Sequence, residues 1–180
     1  MIISLIGFMG SGKSSVGKEL QNLMDCRFID LDTYIEEKTG RNIPDIFASE
    51  GETAFRNMEL EALKDIFAEK HSGNLILALG GGTLTNSQSA GLVRKHSTSI
   101  YLKASIDTLI ENLKGAASGR PMLKGANDEI QLRQRIEELL SQREHIYSET
   151  ADLIINIDNL NDIPAAIAKE ILKTVSGTAR

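Results

Sequence analysis

The sequence predicts an α/β fold, a three-layer sandwich around a parallel sheet of about five strands, and three observations carry that expectation. Short apolar runs alternate along the chain with longer segments of helical period. One run, Leu75 to Leu79, is apolar without interruption, the pattern of a parallel strand buried on both faces. Two glycine clusters, Gly7, Gly10 and Gly12 and then Gly80, Gly81 and Gly82, directly follow strand-like runs. Ligands of parallel sheets bind beyond the carboxyl ends of the strands, so both clusters fall where a site is expected.

The elements follow in order. Ile2 to Ile6 reads as a buried strand, and Lys13 to Met24 as a helix with Val16, Leu20, Leu23 and Met24 at helical spacing. Arg27 to Asp30 is a short second strand. A helix is expected from about Thr33 to Gly40, a residue suited to a helix C-terminus, and a short one from Pro44 through Ala48. Between Glu52 and Lys70, Phe55, Met58, Ala62, Leu63, Ile66 and Phe67 form the stripe of a helix covering a sheet. After the strand Leu75 to Leu79 come a helix Gln88 to Lys95, a strand Ser99 to Leu102 and a helix Ser105 to Lys114. The stretch from Gly115 to Asn127 has no period, and a long loop in a compact domain suits a lid. A charged helix, Asp128 to Ser148, reads as a solvated face apart from Arg143; a strand Leu153 to Ile157 and a helix Ile163 to Val175 close the pattern.

A chain of 180 residues suits one domain able to bury roughly 70% of its unfolded surface, with right-handed crossovers between its strands. The formal net charge of −5 disfavours a protein that coats nucleic acid or anionic membrane, because counterion release needs a basic face. The single cysteine, Cys26, removes any internal disulfide framework and fits a reducing compartment. The apolar run at the start lacks a basic leader and is far shorter than a membrane helix, so the cytoplasm is the expected setting. His71, His96 and His145 are dispersed, with none at metal-ligand spacing.

Chemistry enters with Gly7-Phe8-Met9-Gly10-Ser11-Gly12-Lys13-Ser14, which satisfies the pattern G-x-x-x-x-G-K-[ST] between a strand and a helix. In that context successive backbone N–H groups converge on phosphates and the helix dipole adds positive potential. Lys13 then reaches the β- and γ-oxygens and the Ser14 hydroxyl ligates Mg²⁺. The loop therefore implies use of a nucleotide, with Gly10, Ser11, Gly12, Lys13, Ser14 and Ser15 as its contacts. Asp30 and Asp32 end the second strand two residues apart. One acid of such a pair can help hold Mg²⁺ through water, and the other can orient or deprotonate an attacking hydroxyl; the bland alternative is a helix N-cap by Asp32. Arg56, Arg120 and Arg143, taken singly, read as surface charges. Arg120 stands out because it sits in Ser118-Gly119-Arg120-Pro121, within the expected lid, where a guanidinium could neutralise charge on a transferred phosphoryl group. Gly80, Gly81 and Gly82 leave a strand at the ligand edge, and their N–H groups could donate to a hydroxyl or carboxylate.

Taken together these residues resemble the shikimate kinase family, P-loop small-molecule kinases similar to nucleoside monophosphate kinases. The resemblance rests on Gly7 to Ser14, on Phe28-Ile-Asp-Leu-Asp32 and on Gly51-Glu-Thr-Ala-Phe-Arg56. It extends to the glycine triplet, to Gly119-Arg-Pro-Met-Leu123 and to Arg143-Glu-His-Ile-Tyr147. It implies ATP-dependent phosphorylation of the 3-hydroxyl of shikimate in the pathway to aromatic amino acids. It further implies that Lys13 and Ser14 serve ATP and Mg²⁺, Asp30 the metal's outer shell, and Asp32 the shikimate hydroxyls as base. Arg56, Arg143 and the backbone of Gly80 to Gly82 then grip the substrate carboxylate, whose planar shape suits guanidinium forks. Arg120 closes from a lid at about 114–127, and a helical segment at about 32–60 binds the substrate. In the window where the family carries an adenine-stacking arginine, this chain offers Asn112, Leu113 and Lys114, and Lys114 is the expected substitute. A monomer with shikimate and ATP as its partners is expected. The nearest alternative is a gluconate kinase on the same scaffold. A guanine-nucleotide switch is disfavoured by the lack of an N-K-x-D motif.

Overall fold

A computed structural model describes residues 1–114, 121–125, 128–158 and 163–177. Five strands form one sheet: β1 (Ile2–Ile6), β2 (Arg27–Asp30), β3 (Leu75–Ala78), β4 (Thr98–Lys103) and β5 (Leu153–Asn156). Their spatial order is β2-β3-β1-β4-β5, every neighbouring pair is parallel, and β1 sits at the centre with Ile3 opposite Ile76 and Thr98. The strand order reverses between β1 and β3, which opens a crevice beyond their carboxyl ends. Both glycine clusters emerge into it.

The helices are α1 (Lys13–Met24), α2 (Leu31–Thr39), α3 (Ile43–Ala68), α4 (Ser87–His96), α5 (Ile106–Leu113), α6 (Glu129–Thr150) and α7 (Ile163–Gly177). They flank the sheet as the outer layers of the expected sandwich, with α1 packed on α7 and β3, and α4 and α6 on β4. Helix α1 approaches β2 closely because residue 17 is glycine; a Cβ there would lie 2.2 Å from Phe28 Cε2. The core is aliphatic, with Ile3, Leu5, Leu75, Ile76, Leu77, Ile100 and Leu102 all fully buried in the sheet.

Two expectations are corrected and one is met. Helix α2 starts at Leu31 rather than near Thr33, because Asp30 and not Asp32 is its N-cap: Asp30 Oδ1 accepts from the amides of Asp32 (3.1 Å) and Thr33 (3.4 Å). The two helices expected between Pro44 and Lys70 are both present within α3, and helical geometry breaks between them at Gly51, whose φ 81° and ψ 175° form a conformation that favours glycine. Helix α6 is not simply a solvated face. It buries Leu132, Ile136, Leu139, Leu140, Arg143, Tyr147 and Thr150 along one side.

Candidate active site

Two cavities meet at the carboxyl ends of β1, β2 and β3. The first, of about 480 Å³, is walled by the glycine-rich loop after β1 and the start of α1, including Gly10, Gly12, Lys13, Ser14 and Ser15. Gly12 sits at φ 83° as the N-cap of α1, so the first amides of the helix open onto the loop. The Lys13 ammonium donates to the carbonyls of Gly7 (2.9 Å) and Phe8 (2.8 Å), which keeps the charge against the loop. Ser11 is fully buried; its amide donates to the Phe8 carbonyl (3.2 Å), so it braces the loop from inside rather than lining the cavity. The Ser14 hydroxyl donates to Asp30 Oδ2. Asp30 thus fixes the start of α2 with one oxygen and meets Ser14 with the other.

The second cavity, of about 320 Å³, lies between α2, α3, the glycine triplet and α6. Arg56, Arg143 and Gly80 to Gly82 line it beside the rings of Phe47 and Phe55. The Arg56 guanidinium lies 5.4 Å from the Phe55 ring centre and 6.0 Å from that of Phe47, bonds Glu52 (3.2 Å), and pairs with Glu59. Glu59 is fully buried and also accepts from the Thr83 hydroxyl. Glu59 does not stand out in the sequence as a site residue, although it carries a signal. It sits in the middle of the apolar stripe, four residues after Phe55 and three before Ala62, where a carboxylate needs a partner.

Asp32 borders both cavities. Its Oδ1 is buried without a hydrogen-bond partner among the described residues. Burial, reinforced by the negative charges of Glu59 and Asp30 and opposed by Lys13 and Arg56, pushes its carboxyl up from 3.8 to about 6. Burial likewise raises Glu59, against the pull of Arg56 and Thr83. A carboxylate with its acidity set near neutrality, open to both cavities, can take a proton from a group lying between them.

The glycine triplet makes this convergence sterically possible. None of the three has a positive φ, so glycine is required there for space rather than for backbone conformation. A Cβ at Gly80 would sit 2.8 Å from Glu59 Oε1 and 2.9 Å from Asp32 Oδ1, and one at Gly82 would sit 2.2 Å from Arg56 Nη2. At Gly81 the obstacle would be the Met9 amide nitrogen of the phosphate loop, at 2.8 Å. Behind the triplet, burial pushes the Tyr147 hydroxyl up to about 12, so it remains a donor to the Gly81 carbonyl.

The structure therefore brings together Asp32, Arg56, Gly80, Gly81, Gly82 and Arg143 around one cavity, and Lys13, Ser14 and Asp30 around the other. Arg120 lies outside the described residues, as does residue 119 beside it. Lys114 is not among the residues lining the first cavity; it pairs with Glu111 (2.6 Å) and Glu129 (3.4 Å). Asn112 and Pro164 line that cavity instead, and Asn112 Nδ2 donates to the Gly10 carbonyl at 2.8 Å. Among the described residues no helix is long and apolar enough to cross a membrane, and no group of three or more His, Cys, Asp or Glu is placed to hold a metal ion.

A parallel sheet with a phosphate loop after its central strand, joined to a second cavity lined by arginines and a raised carboxylate, defines a P-loop kinase for a small anionic acceptor. The shikimate kinase family profile matches residues 9–176. A shikimate kinase of Chlorobium limicola is 43% identical over 163 residues, spanning 87% of this chain and 78% of that one. One from Dictyoglomus turgidum is 36% identical, over 87% of this chain and 88% of the other. Among solved structures, a shikimate kinase from Acinetobacter baumannii in complex with shikimate superposes with a TM-score of 0.89 at 31% identity, covering 99% of this chain and 94% of that one. The chain belongs to the shikimate kinase family of ATP-dependent phosphotransferases.

Proposed function

We propose that the two cavities hold ATP and shikimate side by side, and that the site transfers the γ-phosphoryl group to the shikimate 3-hydroxyl, giving shikimate 3-phosphate and ADP. The observation that carries this reading is the position of Asp32 on the wall of both cavities, with a buried and unpartnered carboxylate oxygen. From there it orients the acceptor hydroxyl and takes its proton. Arg56, Arg143 and the Gly80 to Gly82 backbone bind the carboxylate, while Phe47 and Phe55 cover the apolar face of the ring. The α2 segment and the first part of α3, about 32–60, form the acceptor wall.

On the nucleotide side the loop amides, Lys13, Ser14 and Ser15 hold the phosphates. The Ser14 hydroxyl and the Asp30 carboxylate are adjacent hard oxygen donors beside the phosphate position, a set that suits Mg²⁺ completed by phosphate and water. Bound there, the ion would supply positive charge that offsets that of the phosphates. Arg120 would add a guanidinium from the lid at about 114–127. Catalysis then rests on positioning and charge neutralisation, because a loose transition state asks little covalent help. In this reading a single chain is the active unit.

A coupled assay of ADP release, with and without shikimate, tests the reading; shikimate should stimulate release at least tenfold over ATP hydrolysis alone. Gluconate in its place should not. Stimulation by gluconate alone would reassign the acceptor.

A further inference from the structure

Each carbonyl of the glycine triplet has a partner, but the middle one finds it elsewhere in the fold. The Gly80 carbonyl accepts from the Thr83 amide (3.2 Å), and that of Gly82 from the Thr85 amide (3.0 Å) and hydroxyl (2.7 Å), all within the same turn. The Gly81 carbonyl is met instead from α6. Arg143 and Tyr147 stand four residues apart on that helix and share one face. The Tyr147 hydroxyl donates to Gly81 O, and Arg143 Nη1 lies 3.4 Å from the same oxygen. Tyr147 is buried, with its ring 5.3 Å from that of Tyr101.

We propose that Tyr147 is a positioning residue for the acceptor: its hydroxyl fixes the peptide between Gly81 and Gly82 and, through the shared carbonyl, the Arg143 guanidinium. Three consecutive glycines have the freest backbone a chain can offer, so an ordered binding wall built from them needs an anchor from outside. In a trans peptide the N–H points opposite to the C=O, so holding the carbonyl on α6 turns the Gly82 N–H away from that helix. The same bond occupies one lone pair of the carbonyl and leaves the remainder of the Arg143 fork for a ligand. Because Gly81 also packs on Met9, the anchor sets the distance between the acceptor wall and the phosphate loop. The inference rests on the reading that this cavity binds shikimate.

The test compares Tyr147→Phe with Tyr101→Phe, which removes a hydroxyl from the same ring pair without touching Gly81. Tyr147→Phe should weaken shikimate binding about tenfold by calorimetry, the loss of one buried hydrogen bond, with KM for ATP changed less than about twofold. It should also move the Gly82 amide resonance. Tyr101→Phe should do neither, although both variants lower the thermal midpoint slightly. Equal shikimate affinity in the wild-type and Tyr147→Phe proteins would overturn the proposal and leave the functional reading standing. A wild-type protein that does not bind shikimate would overturn the functional reading. The Gly82 amide then decides the anchor alone, and an unmoved resonance in Tyr147→Phe removes it.

Discussion

The nucleotide half of the cleft is built mainly from one unbroken stretch, Gly7 to Ser15, whose working groups are largely backbone amides. The acceptor half draws Asp32, Arg56, Glu59, the glycine triplet and Arg143 from α2, α3, the loop after β3 and α6. Its charges are held by polar partners: Arg56 between Glu52 and Glu59, Glu59 between Arg56 and the Thr83 hydroxyl. A backbone site is formed by local conformation and loses little stability when a side chain is removed. A site of buried charges is coupled to the core, so changes in binding and in stability should travel together there.

The largest expected effect tests that coupling. Glu59→Ala leaves Arg56 with Glu52 alone and deprives the Thr83 hydroxyl of its acceptor. Breaking a buried pair in this way typically costs about 3–5 kcal/mol. Urea unfolding should show that loss together with weakened shikimate binding, while nucleotide affinity changes little. A stability within about 1 kcal/mol of wild type would show that the pair does not hold the acceptor wall.

Lys13→Ala is the counterpart on the other side. The ammonium lies against the carbonyls of Gly7 and Phe8, and in the proposed mechanism its removal takes one cation from the developing phosphoryl charge. Turnover should fall roughly 10²–10³-fold, the range for losing a single preorganised donor. The unfolding free energy should change far less than in Glu59→Ala. If the two variants destabilise equally, the contrast between the halves fails.

That contrast also governs how much of the molecule was legible in its sequence. The phosphate loop is contiguous, so Gly7 to Ser14 identifies it directly, and the β-strands follow from short apolar runs, uninterrupted in β3. The acceptor wall is distributed, and its supports read as something else. Glu59 resembles a solvated charge until the phase of its stripe is taken from Phe55 and Ala62. Helix α6 is charged throughout, which hides a buried side whose members include Arg143 and Tyr147. Gly51 reads as a break between two helices, and the structure breaks there too; what no local signal shows is that Phe47 before the break and Phe55 after it line the same cavity. The missing side chains of Gly80 and Gly82 follow from no local rule. They are set by where Asp32, Glu59 and Arg56 arrive from other elements.

The smallest expected effect is a shift along the pH axis, and it joins the two halves at Asp32. With its carboxyl raised to about 6 by burial and by Glu59 and Asp30, Asp32 is ready for the proposed role of base only above that pH. The acid limb of kcat/KM should therefore fall near pH 6 rather than near 4, so that activity at pH 5 is about a tenth of its plateau. Stability should move the opposite way. Between the ordinary carboxylate value and 6 the folded protein binds more protons at Asp32 than the unfolded chain does. This group's contribution therefore becomes more favourable as pH falls from 7 to 4, by at most about 3 kcal/mol. Unfolding measured in the wild-type and Asp32→Asn proteins across that range isolates the term, since other titrating groups cancel in the difference. Glu59→Gln removes a neighbouring negative charge and should move the acid limb to lower pH, whereas Lys13→Ala removes an opposing positive one and should move what remains of it higher. An acid limb unmoved by either change would mean that the kinetic base is another group, and that the two cavities are not joined through Asp32.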